Sequence, residues 1–339
     1  MIEISRLLKF LVRRLLFSIP VFFGVTIITW ALMYAAGDPV RLMLAGVPHI
    51  TPDVIENLRR YYNLDRPVWE QYFYWIANLF RGNFGVSFYY DQPVINLIVP
   101  WAVETLKIQL TALALAVIIA IFVGIYSARH PYSIADMGVT TFALFGVSMP
   151  IFVWGIFSIL IFSAQWHSIS TALFGFPIYF PASGAHNWNY RTFPFPLYIA
   201  DALWHMVLPT LVLTIVFMAL YVRLVRQGMR ETLQQDYVLA ARASGLSNRK
   251  VIYKHALRNA LIPLVTYIGL AIATAFAGAP ITETVFTWPG LGYYYVQALY
   301  GLDFPIIMAV ITILTILILA ANIIVDITYG IVDPRISVG

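Results

Sequence analysis

Long apolar runs separated by polar segments dominate the hydrophobic pattern of this chain. A helix that crosses a bilayer needs about 20 mostly apolar residues. Six runs reach that length: Leu15–Ala36, Ile108–Ala128, Met137–Ala164, Ala202–Val222, Asn259–Ile281 and Phe304–Val325. None of these runs contains Asp, Glu, Lys or Arg. The pattern predicts an all-α integral membrane protein with six transmembrane helices, and an even number of spans places both termini on one side.

Composition supports a membrane protein and excludes some chemistry. Of the 339 residues, 60% are hydrophobic and 11% are charged, against about 25% charged in a soluble domain. A soluble fold cannot bury that much apolar surface. The chain has no cysteine, so a disulfide framework, a thiolate metal site and a cysteine nucleophile are excluded.

Basic residues are distributed unevenly between the two sides of the predicted bundle. The loop 223–258 contains eight Arg and Lys residues, and both ends of the chain add others on that side. On the opposite side, the five Arg of loop 37–101 are offset by six acidic residues. Loops rich in Lys and Arg stay in the cytoplasm. We therefore expect cytoplasmic termini, a cytoplasmic loop 223–258 and a multi-pass location in the cell membrane.

The N-terminus has an alternative interpretation as a secretory signal peptide. The apolar run after Arg14 is longer than a typical signal-peptide core. We therefore predict an uncleaved first helix, followed by the large outer loop. The predicted division is residues 1–101, the first helix and this loop, and residues 102–339, a five-helix core that contains loop 223–258.

The outer loops are rich in aromatic residues. Thr51 and Pro52 predict a helix start in the first loop. A second amphipathic helix follows, with aromatic and apolar side chains at helical spacing: Trp69, Tyr72, Phe73, Ile76 and Phe80. It fits an interfacial helix on the membrane or a docking site for an external protein. Loop 165–199 fits an aromatic belt or a surface that stacks on a sugar or peptide.

The basic loop 223–258 predicts two short helices. Tyr237–Ser244 is the first, and Gly245 can take the left-handed conformation that ends a helix. Ser247 fits the N-cap of a second helix, from Asn248 to about Asn259. Three interpretations compete: a loop that only sets topology, a DNA-binding helix–turn–helix, and a contact with a cytoplasmic partner. Flanking membrane helices make access to a DNA groove implausible, so no nucleic acid is expected.

This loop resembles the EAA loop of ABC-importer permeases. The family pattern is Glu-Ala-Ala, three residues and Gly, and this chain has Ala240, Ala241 and Gly245 at the matching positions. It departs at Leu239, where the broad family has Glu. In the dipeptide/oligopeptide branch the loop reads as it does here, DYVLAARASGL followed by HALRNALIP.

Further motifs of that branch cover nearly the whole chain. They are GDP (37–39), LDRPVWEQY (64–72), FRGNFGVSF (80–88), FPASG (180–184), LPTLVL (208–213), ETVFTWPGLG (283–292) and YGIVDPR (329–335). Asn83 stands where the branch often has Asp. The resemblance implies the type I ABC-importer permease fold, and a cargo of dipeptides, oligopeptides, oligosaccharides or nickel. A metal cargo would favour His or carboxylate groups along the path, and the aromatic outer loop leans towards a sugar or peptide.

The resemblance also implies partners. These are a second related permease, two ATP-binding subunits that hold ATP and magnesium, and an extracytoplasmic solute-binding protein. No cofactor is expected in this chain, since none of its four lysines follows a glycine as in a Walker A loop. The implied ATPase-coupling residues are Ala240, Ala241, Gly245, Leu246, Val251, His255 and Arg258. His255 has the alternative of an ordinary, satisfied loop histidine.

The segment after the fifth span is the other candidate site. The resemblance makes it a gate or a contact for the solute receptor, with Glu283, Phe286, Trp288 and Gly290 as candidates. The alternative is a re-entrant turn that packs the bundle.

Two other classes of protein were weighed. A gradient-driven secondary transporter usually needs ionisable groups within its spans, which the six runs lack. An enzyme needs a reactive constellation, and the six histidines have no metal-ligand spacing. No catalytic residue and no metal site are therefore expected.

Overall fold

The computed structural model describes residues 2–38, 40, 44, 51–62, 64–276 and 278–332. Thirteen helices carry these residues. They are α1 (Ile2–Ala36), α2 (Pro52–Tyr61), α3 (Val68–Phe80), α4 (Val94–Arg129), α5 (Ile134–Ser148), α6 (Ile151–Phe174), α7 (Phe195–Leu233), α8 (Asp236–Ala243), α9 (Asn248–Ala260), α10 (Ile262–Ala275), α11 (Pro280–Val285), α12 (Leu291–Gly301) and α13 (Phe304–Val332). The described part of the chain has no strand and only one isolated β-bridge.

Among the described residues, five helices are long and apolar enough to cross a membrane, and α9 with α10 forms a sixth crossing if that bent pair is one span. The predicted all-α membrane fold is therefore confirmed. Four of the predicted spans lie within α1, α4, α7 and α13, although α4 and α7 extend well beyond them.

The third predicted span, Met137–Ala164, is wrong as a single helix. The chain breaks at Met149, whose ψ of 130° is extended, and α6 starts after Pro150. Proline disfavours helical geometry in the residue before it and donates no N–H to the preceding turn. The run therefore divides into a 15-residue helix and a longer one that includes a π-helical stretch at Ile159–Gln165.

The fifth predicted span, Asn259–Ile281, also has wrong boundaries. Helices α9 and α10 meet at a bend of 50° near Leu261. Pro263 follows that bend in the first turn of α10, where its missing N–H costs least. Helix α10 ends at Ala275, and Pro280 begins the separate helix α11. The apolar run alone did not reveal these breaks.

The chain forms two compact units: residues 1–104 with 290–339, and residues 105–289. The predicted division at residue 101 remains a prediction, and these units differ from it by joining α12 and α13 to the first helix. The core of the first unit contains Met33, Val94, Trp101, Ile306 and Met308. Trp101 stacks on Tyr294 with ring centroids 4.1 Å apart.

The second unit is built on close crossings with α7. A Cβ added at Gly124 of α4 would lie 2.7 Å from the Cβ of Val225. At Gly228 it would lie 2.4 Å from the carbonyl oxygen of Ala260, at the end of α9. Both distances are too short for real atoms, so glycine allows α4 and α9 to pack directly on α7. These crossings position the basic loop.

Candidate coupling site

The predicted pair of short helices is present in the basic loop. Helix α8 runs from Asp236 to Ala243, one residue earlier than predicted, and α9 begins at Asn248 as predicted. Gly245 joins them with a φ of 78°, the left-handed conformation expected of a helix-ending glycine. Ser247 has N-cap backbone angles, although its side chain makes no capping hydrogen bond. We call α8, the turn 244–247 and α9 the helix pair.

One side of the helix pair is anchored on the long helices. Val238 and Val251 are fully buried in a cluster that includes Val225 and Met229 of α7 and Ile125 of α4. Ile252, Ala256 and Ala260 of α9 join the same cluster. Full burial of a valine side chain contributes about 1.5 kcal/mol or more. The pair, too small for a core of its own, is thus fixed to the ends of two membrane helices.

A hydrogen bond ties the two helices of the pair together. The amide Nδ2 of Asn259 donates to the hydroxyl oxygen of Tyr237 over 2.7 Å. This bond joins the first turn of α8 to the end of α9. Together with the buried anchor, it makes the helix pair one rigid element rather than a loose loop.

The other side of the helix pair is exposed and mixes apolar with basic groups. Leu239 and Tyr253 are each 48% exposed, and Leu246 is 38% exposed. Exposed basic side chains surround them: Arg242, Arg249, Lys250, Lys254 and Arg258. Large apolar groups in a charged rim are typical of a protein-binding surface.

The predicted coupling residues divide between these two sides. Ala240, Gly245, Leu246 and Arg258 are exposed, whereas Ala241 and His255 are half-buried. Val251 is fully buried. The sequence analysis predicted that Val251 contacts a partner subunit. Its side chain instead packs in the core of this chain and anchors the helix pair on α7 and α4.

An ion pair between buried Asp136 and Arg226, which the sequence analysis did not predict, fixes α7 just before the helix pair. Arg226 donates from Nε to Oδ1 of Asp136 over 2.6 Å and from Nη2 to Oδ2 over 2.8 Å. Ser127 of α4 donates its hydroxyl to the same carboxylate. The Arg226 guanidinium, aided by Ser127 and by the N–H of Tyr132, holds the pKa of Asp136 below its usual range despite burial.

This network joins α4, α5 and α7 through one carboxylate. Asp136 is only 2% exposed, and the N–H of Tyr132 donates to its Oδ2 over 2.9 Å. A paired Asp and Arg 90 residues apart in sequence leave no local pattern, since each alone looks like an ordinary charge at the end of a helix. No signal in a single sequence would have found the pair.

In the segment 280–289, by contrast, the candidate side chains are buried, although Ile281, Thr284 and Thr287 are exposed. Glu283, Phe286 and Trp288 are 0%, 1% and 1% exposed. The Oε1 of Glu283 accepts from the hydroxyl of Thr105 over 2.9 Å and from the N–H of Ala279 over 3.1 Å. Gly290, which precedes α12, is buried as well. A direct contact of these side chains with a receptor would require the segment to open.

Trp288 fills a cavity among the helices of its unit. It belongs to a cluster with Ile108, Met206 and Leu213, whereas Phe286 packs with Leu208 and Val212. This packing is the arrangement of the alternative interpretation, a turn that packs the bundle. The gate or receptor role of these residues remains a prediction.

The aromatic outer loops are helical and partly exposed. Helices α2 and α3 match the two predicted amphipathic helices, and Trp69, Phe73 and Phe80 are 66%, 65% and 72% exposed. Tyr72 points inward, where its hydroxyl is 2.9 Å from that of Thr26 in α1. The exposed face fits a membrane surface or a protein partner equally well.

A second buried carboxylate, that of Asp201, contacts residues of the aromatic loop 165–199. Its Oδ2 lies 3.1 Å from Nδ1 of His186 and accepts from the N–H of Asn187. The His186 ring packs against Tyr190 and Tyr198, with a centroid distance of 4.7 Å to each ring. Within the described ranges, no three His, Asp or Glu side chains form a group that could hold a metal ion.

These features define a class of protein: a multi-pass membrane protein whose anchored helix pair presents an exposed apolar and basic face outside the apolar spans. Residues 120–338 match the family described as binding-protein-dependent transport system inner membrane component, and residues 7–109 match its N-terminal counterpart. The chain belongs to this family, which confirms the predicted ABC-importer permease with the type I fold.

Several curated relatives match along almost their full length. The dipeptide transport system permease protein DppB of Escherichia coli K12 is 37% identical over 97% of this chain and 99% of its own length. The oligopeptide transport system permease protein AppB of Bacillus subtilis 168 has the same identity and coverage. So does the di/tripeptide permease DppB of Pseudomonas aeruginosa UCBPP-PA14.

Proposed function

We propose that this chain is one of two permease subunits of an ATP-driven importer that carries peptides into the cytoplasm. ATP and magnesium are bound by two partner ATPase subunits, and an extracytoplasmic binding protein delivers the solute. The single observation that carries the proposal is the exposed, rigidly anchored helix pair in a member of a binding-protein-dependent transport family.

The helix pair has the mechanical properties that coupling needs. An ATPase subunit that binds its exposed face, with Leu246 near the centre, moves α8 and α9 together because Asn259 and Tyr237 are hydrogen-bonded. Buried Val238 and Val251 transmit this motion to α7 and α4. Movement at the surface thus becomes movement of the spans, which is what alternating access requires.

The peptide cargo is supported by the relatives. The three described above are named for dipeptides, oligopeptides, and di- and tripeptides. None of these three names refers to an oligosaccharide or to nickel. The family assignment likewise favours ATP-driven transport over the gradient-driven alternative. The basic residues of loop 223–258 support a cytoplasmic location for the helix pair and for both termini.

The test is a bulky substitution on the exposed face, since deletion of residues 246–258 would also remove buried Val251 and Ile252. Ala240→Trp adds a large ring to the exposed side of α8 without touching the anchor. We expect that the ATPase subunits no longer co-purify with this variant and that ATP-dependent peptide uptake falls at least tenfold. The permease itself should remain folded.

The matched control is Ala77→Trp. Ala77 is exposed on α3, in the outer loop, so the same substitution adds the same ring on the opposite side of the membrane. ATPase co-purification should be unchanged in this variant. Normal co-purification and uptake by Ala240→Trp would refute coupling through the helix pair.

A further inference from the structure

A cavity of about 500 Å³ lies between α5 and α7, next to the buried Asp136–Arg226 pair. It belongs to the unit of residues 105–289, and its volume is in the range of small-molecule sites. Its walls are of two kinds. One is apolar and includes Val139 and Leu144, and the other is basic and carries three guanidinium groups. Neither the helix pair nor the segment 280–289 accounts for it.

The three arginines of the cavity have different partners. Arg226 is committed to Asp136. Arg230 lies over the ring of Tyr132, with 5.6 Å from its Cζ to the ring centroid. Arg223 is exposed, and no hydrogen bond or acidic partner joins it to any residue that the structure describes. Arg223 and Arg230 therefore have no acidic hydrogen-bond partner among the described residues, and Glu231 is the carboxylate that lines the cavity with them.

The charge of the site favours a monoanion. The cavity wall carries three arginines and Glu231, and one of the arginines, Arg226, is paired with buried Asp136. Glu231 accepts a hydrogen bond from the amide of Gln227 over 2.9 Å. One positive charge is left over. A guanidinium offers paired N–H donors whose spacing matches two phosphate oxygens. A phosphodiester, with its single negative charge, fits this arrangement.

The position of the cavity favours a lipid over a free phosphate. Arg223 directly follows Val222, the last residue of the apolar run of α7, so the basic wall begins where the apolar part of the span ends. The neighbouring face of α5 exposes apolar side chains, with Leu144 51% and Phe145 53% exposed. Basic pockets between membrane helices at this level bind anionic lipid headgroups.

We propose that the cavity between α5 and α7 binds the headgroup of an anionic phospholipid, with Arg223 and Arg230 contacting the phosphodiester and Val139 and Leu144 contacting the acyl chain. The bound lipid links α5 to the part of α7 that precedes the helix pair. This site does not depend on which solute is carried.

The test uses the full-length permease in detergent, incubated with phosphatidylglycerol or with phosphatidylcholine of the same acyl chains and examined by native mass spectrometry. We expect one phosphatidylglycerol to be retained and phosphatidylcholine to be lost. The double variant R223Q/R230Q should weaken retention roughly 30-fold, since each basic residue near a membrane surface contributes about a factor of five. Arg242→Gln removes the same charge from exposed α8, outside the cavity, and should retain the lipid normally.

Two further arms keep the result decisive. R223K/R230K preserves charge and fold while removing the guanidinium fork, and should retain the lipid better than R223Q/R230Q does. Inorganic phosphate at millimolar concentration should displace little lipid. Equal retention of both lipids, an equal loss in Arg242→Gln, or binding of inorganic phosphate without the lipid would overturn the proposal. So would a loss of ATPase subunits from R223Q/R230Q with lipid retention unchanged, which would assign the cavity to a protein partner.

Discussion

The helix pair and the segment 280–289 both lie in the unit of residues 105–289, and both carry residues that the sequence marks for function. The helix pair buries valines and exposes leucine, tyrosine and basic side chains. The segment 280–289 buries its carboxylate, phenylalanine and tryptophan together. The helix pair can bind a partner through its exposed face without a change in conformation. The buried side chains of the segment 280–289 can contact a partner only after that segment opens.

Each of the two regions contains or adjoins a buried carboxylate. Asp136, which braces α7 before the helix pair, is neutralised by a bidentate arginine. Glu283 is fully buried and accepts hydrogen bonds from the Thr105 hydroxyl and the Ala279 N–H. Both are parts of the scaffold, so changes at either should affect stability first.

The largest expected effect is in the buried segment. Trp288→Ala should lower the free energy of unfolding by about 3–5 kcal/mol, because removal of the buried indole ring leaves a cavity in a packed core. Thermal unfolding of the purified permease measures this loss. Trp188→Ala is the matched control, since Trp188 is 93% exposed and its removal leaves no cavity. Similar melting temperatures for the two variants would show that Trp288 is not packed as described.

The ion pair behind the helix pair should come next. Arg226→Met leaves the Asp136 carboxylate buried without its partner, and we expect a loss of roughly 3 kcal/mol. The double variant D136L/R226M removes both charges and should recover much of that stability. Equal destabilisation of the single and double variants in denaturant titrations would argue that the pair contributes by packing alone.

The two sides of the helix pair offer the sharpest contrast. Val251→Ala should destabilise the protein by about 2 kcal/mol, because the side chain is fully buried. Leu246→Ala, on the exposed side, should change stability by less than about 0.5 kcal/mol and yet weaken association with the ATPase subunits. A thermal melt and a co-purification on each variant separate the two roles. If only Val251→Ala lost association with the ATPase subunits, the contact role would belong to Val251 and not to Leu246.

Left-handed residues in the two regions should give the smallest effects, of opposite sign. Gly245 has a φ of 78° with open space around it, so Gly245→Ala should cost about 1 kcal/mol of backbone strain. Thr287 has a φ of 46°, unusual for a β-branched residue. Thr287→Gly should therefore stabilise the segment by up to about 1 kcal/mol. Melting temperatures that move in the same direction would contradict this.

The class of fold and the helix pair could be predicted because their signals are local. Long apolar runs define spans, and Gly245 followed by Ser247 defines a turn between two helices. Pro150 marks a helix boundary in the sequence, but the length of the apolar run Met137–Ala164 favoured a single span. Proline inside such a run should therefore count as a helix boundary.

Burial within the site could not be predicted, because it depends on contacts distant in sequence. Val251 lies against Val225 and Met229, and Glu283 meets Thr105, 178 residues away. Spacing within one helix cannot tell which face meets the rest of the bundle when both faces carry apolar residues. The sequence thus identified the helix pair but did not separate its buried side from its exposed side.

The most direct test of coupling through the helix pair uses the absence of native cysteine. Leu246→Cys introduces the only thiol of the chain, on the exposed face of the pair, and Ala77→Cys introduces one on α3 as a control. The rate of labelling by a hydrophilic maleimide is measured for the permease with and without its ATPase subunits. We predict that assembly slows labelling at position 246 at least tenfold and leaves position 77 unchanged. Equal labelling at position 246 in the free and the assembled permease would contradict the proposed coupling.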